Sequence, residues 1–345
     1  MRVEHWRGQA KRASLAAAFF LAAPLLLIAA PFVLVVAIAA DVGEARRDLP
    51  KSRLVLMAVN YIVLEWIGIG AAGVLWLMTG LGRFIGRPWS QRIHRSVQGW
   101  WAHSMTSAAR RWLGLRFVVE NPEVLAGGRV IVAAQHASFF DALLPTFLLR
   151  PSEPRPTRHV LKRELGFDPC LGIYGHRQPN HFVDRSSRDG DVELCAIRDL
   201  ASTAGDASLV IFPEGTFRSA SNPDRVFAHL AEESPDRSVR LRLKHLLPVR
   251  PGGLLTLLRG APDHDLVFVA HKGLEHAGSF RAIADAVPFR SPIRVRLWRT
   301  SADSLRADSG DALEQIDASW QLMDDWIAEV EEISARLHLD GVAGS

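Results

Sequence analysis

At 345 residues the chain is long enough for one large domain with an appendage, and nearly half of it is hydrophobic. A formal charge of +4 and a pI of 9.4 come almost wholly from arginine, because lysine stands only at Lys11, Lys51, Lys162, Lys244 and Lys272. The basic residues are scattered and no zinc, RNA or helix-turn-helix pattern organises them. This excludes nucleic acid as partner and favours anionic lipid or phosphate-bearing substrates.

Leu15 to Ala40 is almost wholly apolar, and Leu54 to Leu81 is nearly so. Each exceeds the roughly 20 residues that span a bilayer. Pro24 and Pro31 are tolerable in a membrane helix whose neighbours re-satisfy the backbone. Ala37-Ile38-Ala39 looks like a signal-peptidase site, yet the run outlasts an h-region of about 7–15 residues and a second apolar run follows. Residues 1–82 are therefore expected to form a two-helix transmembrane hairpin with spans at 15–40 and 54–81. A re-entrant hairpin fits the same pattern. Arg2, Arg7, Lys11 and Arg12 precede it, Arg46, Arg47, Lys51 and Arg53 lie in the connection, and Arg83, Arg87, Arg92 and Arg95 follow it; both flanks counted together favour both ends in the cytoplasm.

Within the second run, Glu65 is a costly intramembrane carboxylate. The reading favoured here is a structural one, a protonated or hydrogen-bonded group inside the hairpin near Asn60. Gly68 and Ala72 form a small-xxx-small pair expected to let the two helices pack closely.

Residues 83–113 follow as an amphipathic element. Trp89, Ile93, Val97, Trp100, Trp101, Met105, Ala108 and Trp112 recur at helical spacing among Arg92, Arg95, Arg110 and Arg111. A helix lying in the headgroup region and an ordinary core-facing helix both fit.

From 114 to 305 short apolar runs alternate with helical stretches. Strands are expected at 116–119, 130–134, 159–162, 181–183, 209–212, 246–249, 266–270 and 293–298. The fold class is α/β, a mixed sheet flanked by helices and preceded by the membrane hairpin. Sites in such sheets form at the carboxyl ends of strands.

The run Val130–Ala134 leads into Gln135-His136-Ala137-Ser138-Phe139-Phe140-Asp141. Residues five apart on an α-helix lie about 140° apart around the axis. His136 and Asp141 can meet only if His136 sits in the turn and Asp141 reaches back from the first helical turn. A carboxylate on one ring nitrogen would make the other a general base. Ser138-x-x-Asp141 equally fits a helix-capping pattern.

A second loop, Pro213-Glu214-Gly215-Thr216-Phe217-Arg218-Ser219, follows the run 208–212. Its backbone N–H groups and guanidinium suit an anion. Asn222-Pro223 reads as an N-cap with proline at N1. His264, His271 and His276 lack metal-ligand spacing and read as scattered, non-ligand residues. No Gly-x-Ser-x-Gly, Walker or dinucleotide fingerprint is present. Leu313, Ile316, Trp320, Met323, Ile327, Val330 and Leu337 trace one stripe of a C-terminal amphipathic helix within 306–345. Cys170 and Cys195 are too few for a disulfide framework.

Together these segments resemble the glycerophospholipid acyltransferase family, which esterifies lysophosphatidic acid and related acceptors. Its Asn-His-x4-Asp motif is matched by Gln135-His136 and Asp141, and its Gly-x-x-Phe-Ile-x-Arg motif by Pro179 and Phe182-Val183-Asp184-Arg185. Its Phe-Pro-Glu-Gly-Thr-Arg-Ser motif is matched by Phe212 to Thr216, with Phe217 inserted before Arg218-Ser219. A hydrophobic stretch around a proline is matched by Leu246 to Pro251. The departures at Gln135, Pro179 and Phe217 bear on the acceptor. Lys244 to Arg250, after an extra helix, looks closer to the branch best known from eukaryotes.

The resemblance implies an O-acyltransferase acting on 1-acylglycerol 3-phosphate with acyl-CoA or acyl carrier protein as donor. It implies no cofactor and no metal, catalytic His136 and Asp141, and acceptor-phosphate binding by Glu214, Gly215, Thr216, Arg218, Arg185 and Lys162. The partners are a phospholipid membrane, a lysophospholipid acceptor and an acyl thioester. The arginine bias points to a bacterial genome, and so to a multi-pass protein of the inner membrane with its catalytic domain in the cytoplasm. The competing reading is an inactive, membrane-anchored lipid-binding or scaffolding protein.

Overall fold

Helices alternate with short strands after two long N-terminal helices. The computed structural model describes residues 2–136, 138–142, 144–149, 156–184, 190–216, 222–307 and 312–343. Its helices are α1 (Arg2–Gly43), α2 (Pro50–Met78), α3 (Pro88–Ala108), α4 (Leu144–Leu149), α5 (Pro169–Arg177), α6 (Gly190–Ser202), α7 (Pro223–Glu233), α8 (Pro235–Arg240), α9 (Pro251–Gly260), α10 (Phe280–Ala286), α11 (Ala302–Ala307) and α12 (Ala312–Ala343). Its strands are β1 (Phe117–Glu120), β2 (Val130–Ala134), β3 (Thr157–Lys162), β4 (His181–Val183), β5 (Ser208–Ile211), β6 (Asp265–Lys272) and β7 (Ile293–Thr300). The chain divides into two units: Met1–Arg116 with Arg158–Glu193 and Ala284–Arg290, and Phe117–Thr157 with Leu194–Ile283 and Ser291–Ser345.

In the first unit α1 and α2 are both long and apolar enough to cross a membrane. The buried Asp41 carboxylate ties the turn between them. It accepts the Ser52 N–H at 2.9 Å and the Ser52 hydroxyl at 2.7 Å. Phe20 stacks on Trp66 across the pair, with ring centroids 5.7 Å apart.

Two expectations for α2 are corrected. Glu65 finds its partners outside the hairpin: it accepts the Trp101 indole N–H from α3 at 2.9 Å and the Cys170 backbone N–H from α5 at 2.8 Å. Asn60 instead donates to the Leu56 carbonyl one turn back. The small pair Gly68 and Ala72 admits α5 rather than α1. The Gly68 carbonyl accepts the Tyr174 hydroxyl, the Ala72 carbonyl accepts from Arg177, and a Cβ on Gly68 would fall 2.3 Å from the Cys170 sulfur. A buried carboxylate next to a small-residue notch is a docking surface for a polar helix terminus, and α5 is that terminus.

The aromatic stripe of α3 splits in two. His94, Trp101, Ala102, Met105 and Ala108 are buried, whereas Trp89, Ile93 and Trp100 share the opposite, exposed face. One face packs on protein and the other presents apolar side chains outward. In the same unit β3 and β4 pair in parallel, with Val160 opposite His181. Phe182 of β4 stacks on His176, with centroids 4.1 Å apart.

The second unit holds a sheet in the order β1-β7-β6-β2-β5. It is mixed: β7 runs antiparallel to β6, and the other neighbours are parallel. All five residues of β2 are buried, as its unbroken apolar run requires of a central parallel strand. The expected C-terminal stripe packs on this sheet. Ile316, Trp320, Met323, Ile327 and Val330 of α12 are buried, and the Trp320 ring lies 6.3 Å from that of Phe268 on β6.

The strand expected at 246–249 does not form. That stretch is buried, but side chains satisfy its backbone in place of a ladder. Asp324 of α12 accepts the N–H groups of Lys244, His245 and Leu246 at 2.7–2.8 Å, and the Trp320 indole donates to the Leu247 carbonyl at 2.9 Å. Hydrophobic content reported burial correctly and the kind of backbone partner not at all.

Candidate active site

The parallel strands β2, β5 and β6 end on one edge of the sheet, and the candidate residues stand there. Beyond Ala134 the ladder runs one step further, through the Gln135 N–H to the Val269 carbonyl at 3.0 Å. His136 comes next, in the turn. The following residues form a short 3-10 turn, Phe139–Ala142.

Asp141 on that turn reaches back, as the spacing demands. Its Oδ2 accepts the Ser138 N–H at 2.7 Å and its Oδ1 the Ser138 hydroxyl at 2.6 Å, while the Phe140 N–H donates to the Ser138 oxygen at 3.2 Å. This is the reciprocal cap. The same Oδ2 lies 3.6 Å from Nδ1 of His136. Capping and the dyad are thus one arrangement: the cap holds the carboxylate where the imidazole can use it. The 3.6 Å separation is within ion-pair reach and longer than a closed hydrogen bond, and catalytic contacts often tighten when substrate binds.

Asp141 is 1 % exposed. Burial alone would raise its proton affinity, but the nearby His271 charge, the His136 ring and the bonds from Ser138 hold the carboxyl well below the usual range. His271 was not recognised as part of this site in the sequence. Its Nε2 lies 3.0 Å from Asp141 Oδ1, and its backbone N–H donates to the Gln135 side-chain oxygen at 2.9 Å. The sheet brings it there: Ala134 is paired with Val269 in parallel register, so residues two beyond each, His136 and His271, come side by side.

Glu214 turns inward from the Pro213-Glu214-Gly215 turn, where Gly215 takes a positive φ of 80°. Its Oε1 accepts the His136 backbone N–H at 2.8 Å and its Oε2 the Leu247 N–H at 3.1 Å. Burial pushes this carboxyl up to about 8 against those two bonds, with the Asp141 charge adding to the rise. Glu214 therefore clamps the first and last motifs together through their backbones and shapes the loop from inside. The Phe212 ring lies 4.8 Å from the His136 ring.

Glu214 and Thr216 also border a cavity of about 740 Å³ against α7 and Pro248–Pro251, with Arg225, His229 and Arg250 in its lining. Lys162 ends β3 in the first unit, exposed, 3.7 Å from Glu164. Arg185 and Arg218 lie outside the described residues. Among the described residues, no group of three His, Cys, Asp or Glu is placed to hold a metal ion.

Residues 116–252 match the family model described as Acyltransferase. Among solved structures, the chain is similar to the crystal structure of the 1-acyl-sn-glycerophosphate (LPA) acyltransferase, PlsC, from Thermotoga maritima. That similarity has 15 % identity and a TM-score of 0.49, covering 80 % of this chain and 96 % of that one. No curated protein matches the chain. The stretch that matches the acyltransferase model, residues 116–252, carries both the His136–Asp141 pair and the Glu214 clamp.

Proposed function

We propose that the protein transfers a fatty acyl group from an acyl thioester to the hydroxyl of a lysophospholipid, foremost 1-acylglycerol 3-phosphate, giving phosphatidic acid. The observation that carries this reading is His136 at a strand end of an acyltransferase domain, with Asp141 behind its Nδ1. Asp141 keeps the proton on Nδ1, so Nε2 takes the proton of the acceptor hydroxyl. The oxygen attacks the thioester carbonyl directly, the tetrahedral intermediate collapses, and the C–S bond breaks. The departing thiolate recovers the proton from the His136 imidazolium. Atoms and charge balance without an acyl-enzyme.

Acyl-CoA and acyl carrier protein are cytoplasmic, whereas a lysolipid resides in the leaflet. The site then works at headgroup depth on the cytoplasmic side. In this reading α1 and α2 make the protein a multi-pass component of a bacterial inner membrane. The exposed Trp89, Ile93 and Trp100, with Arg92 between them, suit contact with anionic lipid.

Arg218 and Arg185, with Lys162, are the cations assigned to the acceptor phosphate. The test is a comparison of 1-acylglycerol 3-phosphate with monoacylglycerol of the same chain. kcat/KM is expected to be higher for the phosphate-bearing acceptor, and Arg218→Ala to narrow the gap by raising acceptor KM about tenfold or more, with donor KM unchanged. Equal kcat/KM for the two acceptors in the wild type would remove the phosphate from the account.

A further inference from the structure

We propose that His271 is a positioning residue for acyl transfer, a second histidine that clamps the far oxygen of Asp141 and so governs the orientation and basicity of His136. The inference rests on the acyltransferase reading above and assigns a role to a residue outside the sequence motifs.

The geometry is that of one carboxylate held between two imidazoles. His136 Nδ1 faces Oδ2 at 3.6 Å and His271 Nε2 faces Oδ1 at 3.0 Å, while Ser138 engages both oxygens. His271 and Asp141 are each 1 % exposed. Water cannot stand in for either partner, and a buried carboxylate without a counter-charge is costly. His271 is itself fixed, because its strand runs beside β2 and its backbone N–H is bound by Gln135. Gln135 thus serves the site from the position where the family motif has asparagine.

The charges around His271 come from several elements. Asp141 faces it from the 3-10 turn, Glu214 from the loop after β5, and Glu275 from the turn after β6. Lys272, next along β6, pairs with Glu331 of α12 at 3.2 Å and with Glu275 at 3.6 Å. Burial lowers the proton affinity of His271, but the Asp141 charge and bond overcome this and raise it, with Glu275 and Glu214 contributing. His136 and His271 face the two oxygens of one buried carboxylate, so a change at His271 reaches His136 through Asp141.

The test uses the full chain in detergent or vesicles, a labelled acyl thioester and the lysolipid that the wild type acylates. His271→Gln keeps a donor for Asp141 and removes the cation. It is expected to lower kcat roughly tenfold, with both KM values within about twofold of wild type. The acid limb of the kcat/KM profile should move upward by roughly one pH unit. In an Asp141→Asn background the same change should produce no further shift of that limb, because His271 acts through Asp141.

Full activity, or a kcat loss with an unmoved pH profile, overturns the proposal. His271→Asn is read if His271→Gln does not fold, and loss of the folded state in both makes the residue structural and also overturns it. A wild type that acylates no lysolipid, run in parallel, overturns the acyltransferase reading and this proposal with it.

Discussion

His136→Ala is expected to lower kcat by about 10²–10⁴-fold, the usual worth of a general base. The fold should survive the change, for a reason the structure makes specific. Glu214 grips the backbone N–H of residue 136, not its ring, so the clamp between the first and last motifs remains in the alanine variant. The side chain itself is 14 % exposed and lies against the Phe212 ring. Substrate-binding groups are untouched, so both KM values should stay close to wild type. Steady-state kinetics on purified protein, beside a thermal unfolding curve, separates loss of chemistry from loss of structure. Near-normal turnover would remove His136 from the mechanism.

The second large effect concerns stability. Asp317→Ala is expected to destabilise the second unit by about 3–5 kcal/mol, because it leaves a buried guanidinium without its counter-ion. Arg237 of α8 donates from Nε and Nη2 to the two Asp317 oxygens of α12 at 2.6 and 2.7 Å, and Nη2 also reaches the Val249 carbonyl at 2.9 Å. Their side chains are 8 % and 5 % exposed, so solvent screening is weak. The pair pins two helices around the proline-bearing segment that borders the cavity. Arg237→Met with Asp317→Leu should recover much of the loss, since paired apolar replacement avoids the orphaned charge. Urea titration of the three variants measures this. A loss below about 1 kcal/mol for Asp317→Ala would rank the pair with exposed ion pairs.

Much of this site could be read from residue types and spacing, and the misreadings share a cause. The five-residue gap between His136 and Asp141 demanded a turn that doubles back, and Ser138 supplies it by capping. Pro213-Glu214-Gly215 marked a tight turn, but not that its carboxylate points inward to hold His136. Glu65, Gly68 and Ala72 were legible as a polar group and a small-residue notch. Their partners, Trp101, Cys170, Tyr174 and Arg177, lie 36 to 106 residues further along the chain, where no local periodicity reports them. Leu246 to Val249 has the composition of a strand and the burial of one, yet Asp324 and Trp320 take its backbone groups. His271 shows the limit most clearly. It became part of the site only through the register of β6 on β2, and register belongs to the sheet and not to either strand alone.

The most direct measurement is acyl transfer itself. Purified full-length protein, reconstituted in vesicles, is given a labelled acyl thioester and a panel of lysolipids with different headgroups. The expected result is label in a diacyl phospholipid, foremost phosphatidic acid from 1-acylglycerol 3-phosphate, with none retained covalently on the protein when acceptor is withheld. Label trapped on the protein would contradict direct attack by the acceptor hydroxyl. Absence of transfer to every lysolipid, by a folded protein that still binds them, would contradict catalysis and leave a membrane-anchored lipid binder in its place.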